Sequence, residues 1–318
     1  MSALDVTFEV TTLVPLPELG VIEVSGSDAV SFLQSQLTND VVRLAPGQMQ
    51  LSGYCTPKGR LLATFHQWRV DDMVFLRTPR EVVASTVKRL SMFVMRAKAK
   101  VADVSDAWTT YAILGRGASR ALSEAGLSVP TPSTAQTTGD VRVDRMAALP
   151  DGTERFLLTL PSATHVPLAD RIQRGPSSLW WLTEVRAAIP TVFAATQEKF
   201  VPQMLNLEVL GAVDFKKGCY PGQEIVARSQ YLGKLKRRMN VARVESGDAR
   251  PGSDIFHSES EQPIGIVVLA APSPTGGTEL LFESPVDRLN SGSLHLQSAS
   301  GPQLVVHTLP YALFDPTE

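Results

Sequence analysis

Residues 214–228 read DFKKGCYPGQEIVAR, and Cys219 is the group in this chain best placed for nucleophilic, redox or soft-metal chemistry. Lys216 and Lys217 bring positive charge close to it in sequence. Tyr220-Pro221-Gly222 spells a turn, in which Pro221 fixes its own φ and Gly222 can take an unusual one. From Gln223 the pattern is helical, with Gly233 as its terminator. A thiol ahead of a helix N-terminus and beside lysines has its thiolate favoured. The competing reading is a small buried hydrophobe, the commoner use of a lone cysteine. Cys55, the other cysteine, falls in an expected strand with nothing activating beside it. Two cysteines cannot complete a cluster or a zinc site, and the five histidines are scattered, so no metal site is expected. A disulfide between the two is a poor default in a reducing compartment.

The elements that must position this segment follow from pattern. Residues 21–24 read as a strand. Gly26, Ser27 and Asp28 open a helix whose apolar side is Val30, Phe32, Leu33 and Leu37. Residues 50–77 read as an antiparallel meander with turns at 56–59 and 71–72. Pro79 begins a helix to about Phe93. Strands are expected at 111–114 and 141–146 with a helix at 118–125 between them, and a surface loop at 128–140. Helical pattern returns at 166–174 and 179–188. Beyond Lys234 the chain is strand-rich, at 239–244, 264–269, 279–282, 293–297 and 304–308, which suggests a small barrel or sandwich.

The chain has 318 residues, 43% hydrophobic and 19% charged, with a net charge of −2, so any anion site must be local. No apolar run reaches the roughly 18 residues that span a bilayer. No Lys or Arg precedes Arg43, so neither a secretory signal nor a mitochondrial presequence is expected, and the expected location is the cytoplasm.

The octapeptide KGCYPGQE matches the signature Lys-Gly-Cys-Tyr/Phe-x-Gly-Gln-Glu of the YgfZ-type relatives of the glycine cleavage T-protein. GSDAVSFLQSQLTNDV at 26–41 and YCTPKGRLL at 54–62 resemble the same family, so the resemblance covers nearly the whole chain. It implies an α+β, T-protein-like fold: a bipartite folate-binding body at 1–232 and a C-terminal antiparallel β-barrel at 233–318. It also implies an accessory factor that binds tetrahydrofolate or a derivative and supports assembly or repair of iron–sulfur client proteins, including a radical enzyme that methylthiolates tRNA. Cys219 is then the working group, in a motif completed by Lys217, Gly218, Tyr220, Gly222, Gln223 and Glu224. Trp180 matches a tryptophan associated with folate in bacterial relatives, and Arg186 and Arg228 join it as cofactor-binding residues.

Departures from the T-protein shape the alternatives. Its acidic residue on the strand after a Gly-Gly turn has no counterpart at 59–65, where Leu62 and Ala63 cannot act as general acid or base. A folate-dependent aminomethyl or one-carbon transferase is therefore the runner-up. Arg186 stands where T-proteins carry a glutamate, and Glu184 lies two residues upstream. A third reading is a tRNA-binding module. Lys216, Lys217, Arg228, Lys234, Lys236, Arg237 and Arg238 form a basic run that could hold phosphates or the acidic tail of a folate. Direct RNA contact has weaker support there, because no aromatic-rich RNA motif accompanies the run.

Overall fold

The computed structural model describes residues 8–166, 168–231 and 235–313. The chain forms two compact units, neither continuous in sequence. One comprises Met1–Gln34, Val41–Gln50 and Phe65–Thr183; the other comprises Ser35–Asp40, Leu51–Thr64 and Glu184–Glu318. The expected boundary between Leu232 and Gly233 lies outside the described residues. The Cys219 segment before it belongs to the same unit as the strands after it.

The fold is α+β, with few helices. A five-stranded sheet runs Met49–Cys55, Leu61–Val70, Met73–Pro79, Leu19–Ser25, Lys100–Asp103. The first three strands are the expected meander, reversed at 56–59 and 71–72. The first helix, α1 (Ala29–Gln34), stops three residues short of Leu37. There the Gln34 side chain accepts the Val41 N–H at 2.8 Å, and Leu37 instead bridges Tyr54. The second, α2 (Arg80–Val94), starts directly after Pro79 and buries Val82, Val83, Thr86 and Leu90, a stripe at helical spacing.

The first unit holds a six-stranded sheet, in the order Gln173–Arg174, Thr12–Pro15, Trp108–Gly115, Glu154–Pro161, Val141–Arg145, Ala135–Thr138. Its core includes Leu13, Ile113, Val143, Phe156 and Leu158, with Leu122 from α3 (Ala118–Glu124) packed in. Two sequence expectations need correction here, and one strand had not been expected. Residues 128–140 are not all loop, because Ala135–Thr138 pairs with Val141–Arg145 across a two-residue Gly139-Asp140 turn, a hairpin signal in its own right. Glu154–Pro161 is a central strand that was passed over, because its apolar residues Phe156, Leu157, Leu158 and Leu160 show no strict alternation to announce it. No helix forms at 168–174: one turn closes on the Leu168 carbonyl, and Gln173–Arg174 then pairs in parallel with Thr12–Pro15.

α4 (Ser178–Arg186) contains the change of unit, between Thr183 and Glu184. In the second unit α5 (Gln223–Tyr231) follows the cysteine segment. Gly233, the expected terminator, lies outside the described residues. The C-terminal sheet runs Leu294–Leu296, Asp254–His257, Gly265–Pro272, Thr278–Pro285, Arg237–Val244, Leu304–His307. All its pairings are antiparallel, and a His295–Gln303 bridge brings its two edges together, so the sheet is a nearly closed barrel. Ala242, Ile255, Val267, Leu280, Phe282 and Leu296 fill it. Among the described residues after Met239 the only helical piece is the short 3-10 turn Val286–Leu289, as expected for a barrel.

Candidate functional site

Cys219 sits on a loop that the second unit holds from several sides. Thr38 and Asn39 are buried and act as a clamp. The Thr38 hydroxyl donates to Ala212 O at 2.7 Å and accepts the Gly53 N–H at 2.7 Å. The Asn39 amide donates to Leu51 O and to Gly211 O, both at 2.7 Å. The chain entering the cysteine loop is thus tied to the strand Met49–Cys55 by side chains, each bond adding about 0.5–1.5 kcal/mol. Asp214 continues the tie: its N–H donates to Thr38 O at 3.0 Å, and its carboxylate accepts the Lys216 and Lys217 N–H groups at 2.7 and 3.1 Å.

The turn after the cysteine is held by contact with the 56–59 turn. Gly222 has φ 83° and Gly59 φ 69°, both in the region that favours glycine. A Cβ on Gly222 would stand 2.5 Å from Thr56 O and 2.6 Å from Gly59 Cα. The stretches YCTPKGRLL and KGCYPGQE are therefore two halves of one packed structure. α5 leaves this turn with Val226 N–H on Gly222 O at 3.2 Å, and Gln203 donates to Val226 O at 2.7 Å.

Each motif side chain has a distinct place. Lys217 is 8% exposed, and its ammonium donates to Leu37 O at 2.6 Å and Asn39 O at 2.9 Å. Its Nζ stands 5.3 Å from the centre of the Tyr220 ring. Burial pulls the Lys217 pKa down to about 8, against the opposing pull of the Asp40 and Asp214 charges. Tyr220 is buried, and burial together with nearby Cys55 pushes its phenol above the usual range. The Cys55 thiol is itself pushed up to about 12 by burial. Cys219 is exposed. Gly218 is exposed and has open space where a Cβ would stand. The Gln223 N–H donates to Tyr220 O at 3.1 Å, and Glu224 lies exposed in the first turn of α5.

Trp180 belongs to the first unit, is 1% exposed, and has the Arg155 guanidinium 5.1 Å from a ring centre. Arg186 belongs to the second unit and forms a two-pronged pair with Glu279, at 2.9 and 2.7 Å. The pair takes up the Nε and one Nη group of the guanidinium. Arg228 is exposed on α5. The basic run does not form one charged face. Arg237 pairs with Glu283 and donates to Ile264 O, and Arg238 pairs with Glu208 and donates to Gln203 O. Lys217 is buried as described, Lys234 lies outside the described residues, and Lys216, Arg228 and Lys236 remain exposed. In the 59–65 stretch Leu62 and Ala63 are buried. Sequence reasoning passed over Thr38 and Asn39 as working parts. The signal was present: side chains that bond backbone readily, placed together just after a helix end.

Residues 7–148 match the family described as GCVT N-terminal domain. A protein of Colwellia psychrerythraea named tRNA-modifying protein YgfZ is 30% identical over 231 residues, which are 72% of this chain and 70% of that protein. The chain belongs to the YgfZ family. A second YgfZ protein, from Photorhabdus laumondii, is also named tRNA-modifying and is 29% identical over 95% of this chain and 93% of its own length. Among solved structures, the glycine cleavage system aminomethyltransferase T of Bartonella henselae superposes with a TM-score of 0.75 at 19% identity. The match covers 96% of this chain and 87% of that one, and it shows that the YgfZ fold here is the T-protein fold. Among the described residues no helix is long and apolar enough to cross a membrane.

Proposed function

We propose that this chain is an accessory factor in tRNA modification that binds a reduced folate and supports iron–sulfur enzymes, with Cys219 as its working group. The observation that carries this reading is the contrast inside the motif. Lys217 and Tyr220 are buried and Gly222 is packed against backbone, while the thiol between them faces solvent. A loop held this firmly around an exposed cysteine suits a thiol that meets a partner molecule. The role in tRNA modification is supported by the names of the YgfZ relatives. The iron–sulfur and folate parts are supported by the motif resemblance and the T-protein fold.

A folate offers a pterin edge of hydrogen-bonding groups and one or more carboxylates. The exposed cations Arg228 and Lys216 suit the carboxylates. The 59–65 stretch offers the pterin no carboxylate, Arg186 is paired with Glu279, and Trp180 is covered by Arg155. These residues therefore fit the acidic tail and not the pterin edge. The same lack of a carboxylate at Leu62 and Ala63 counts against aminomethyl transfer.

The test is complementation of a strain lacking the gene, with methylthiolated nucleosides quantified in its tRNA. Wild type is expected to restore them. Cys219→Ser is expected to fold, to bind 5-formyltetrahydrofolate in calorimetry, and to fail in complementation. Full rescue by Cys219→Ser overturns the role of the thiol. No heat from folded wild-type protein with millimolar folate overturns the folate part.

A further inference from the structure

The first unit carries a second surface with chemistry of its own, at the end of α2. The helix uses Val82, Val83, Thr86 and Leu90 inside the unit. Its last turn and the loop beyond it nevertheless leave Met92 63%, Phe93 41% and Met95 86% exposed. Between Val82 and Ala102 the chain has five cations, Lys88, Arg89, Arg96, Lys98 and Lys100, and no carboxylate. Arg89 is half-buried, with its guanidinium 5.9 Å from the centre of the Phe93 ring; the other four are exposed.

This tip is pinned. The Lys98 N–H donates to the Asp28 carboxylate at 2.7 Å, and the Asp28 N–H donates to Lys98 O at 3.1 Å. Gly26, at φ 109°, lies so close that a Cβ there would collide with Lys98 O. Met95 itself holds φ 44°, an uncommon conformation for a long side chain. Large apolar groups left in water at a helix end and its anchored loop, with exposed cations on both sides of them in sequence, suit a polyanionic occupant with flat apolar faces.

We propose that this tip is an RNA-docking surface. Unstacked bases lie against Phe93 and the flanking methionines, and phosphates engage Lys88, Arg96, Lys98 and Lys100. An anionic membrane fits less well. An interfacial helix needs a long apolar face, and here that face is turned into the unit and only the final turn is left over. That the natural occupant is tRNA rests on the proposed role in tRNA modification; the stacking-and-phosphate chemistry does not.

The experiment is fluorescence anisotropy of the full chain with a labelled tRNA transcript at 50 and 200 mM salt. Three variants are compared, each checked for an unchanged melting temperature: Lys88→Glu/Arg96→Glu/Lys98→Glu, Phe93→Ala, and the control Lys216→Glu/Arg228→Glu/Lys236→Glu in the other basic run. The triple reversal is expected to lose about tenfold or more in affinity and to flatten the salt dependence. Phe93→Ala is expected to lose about fivefold or more with the salt slope kept. The control is expected to bind as wild type. The proposal is overturned by absence of wild-type binding at 50 mM salt, by variants that bind like wild type, or by loss in the control alone. It is equally overturned by binding to vesicles containing anionic phosphatidylglycerol in place of RNA. An unchanged tRNA profile in Cys219→Ser cells would bear on the proposed function and leave this binding result standing.

Discussion

Lys217→Met keeps the length and apolar packing of the stem and removes the amine. Leu37 O and Asn39 O then lose their donor. A buried acceptor left without a partner costs about 1–3 kcal/mol, so the pair together costs about 2–6 kcal/mol. Against this stands the desolvated ammonium. Its pKa falls from 10.5 to about 8 on folding, which at pH 7 destabilises the wild type by up to about 3 kcal/mol. Methionine removes that penalty. The two effects offset at neutral pH, and the variant is expected to lose less than about 3 kcal/mol against wild type there. Between pH 8 and 10.5 the unfolded chain binds more protons than the folded one, so wild-type stability rises with pH relative to the variant. The gap should widen by about 1 kcal/mol from pH 7 to pH 9. A neutral amine still has two N–H groups for the two carbonyls, so the clamp survives deprotonation. The assay is urea-dependent labelling of buried Cys55, read by peptide mass spectrometry at both pH values and normalised to the unfolded chain. The same gap at pH 7 and pH 9 would refute the reasoning. So would a loss of about 3 kcal/mol or more at pH 7, because it would make the charged clamp stabilising outright.

Gly222→Ala should destabilise by about 2 kcal/mol or more, because left-handed strain adds to a collision with Thr56 O and Gly59 Cα. Gly126→Ala is the control: Gly126 has a similar φ of 75° and nothing within 4 Å of a Cβ, so equal losses in urea melts would remove the packing argument. Iodoacetamide should modify exposed Cys219 at least about 100-fold faster than buried Cys55, and equal rates would contradict the loop geometry. Lys217→Met should leave the Cys219 rate within about twofold, because the Lys217 amine is directed at the Leu37 and Asn39 carbonyls; a large slowing would show that it activates the thiol.

The parts of this protein that sequence reveals are those whose cause is local. Pro79 starts α2, the 56–59 turn reverses a meander, and short strands between Gly and Pro make a barrel, because each depends on neighbours a few residues away. Cys219 stood out for the same reason. What was hidden depends on distant partners. Thr38 reaches Ala212 across 174 residues of chain, and no local pattern encodes that. The basic run misled because charge in sequence says nothing about pairing. Arg237 and Arg238 are successive residues of one strand and so point to opposite faces, yet each finds a carboxylate, Glu283 or Glu208. The tip of α2 shows the opposite case. Leu90, Phe93 and Val94 continue a helical apolar stripe in the sequence. The helix runs past the end of what it packs against, and the same stripe that builds the unit at Val83 and Leu90 becomes a solvent-facing surface one turn later. A periodic pattern identifies the face of a helix, and only the length of its partner decides where that face stops being core. A buried sulfur and an exposed one likewise look alike as letters. Cys55 and Cys219 differ because one ends a covered strand and the other rides a loop held open by glycine packing.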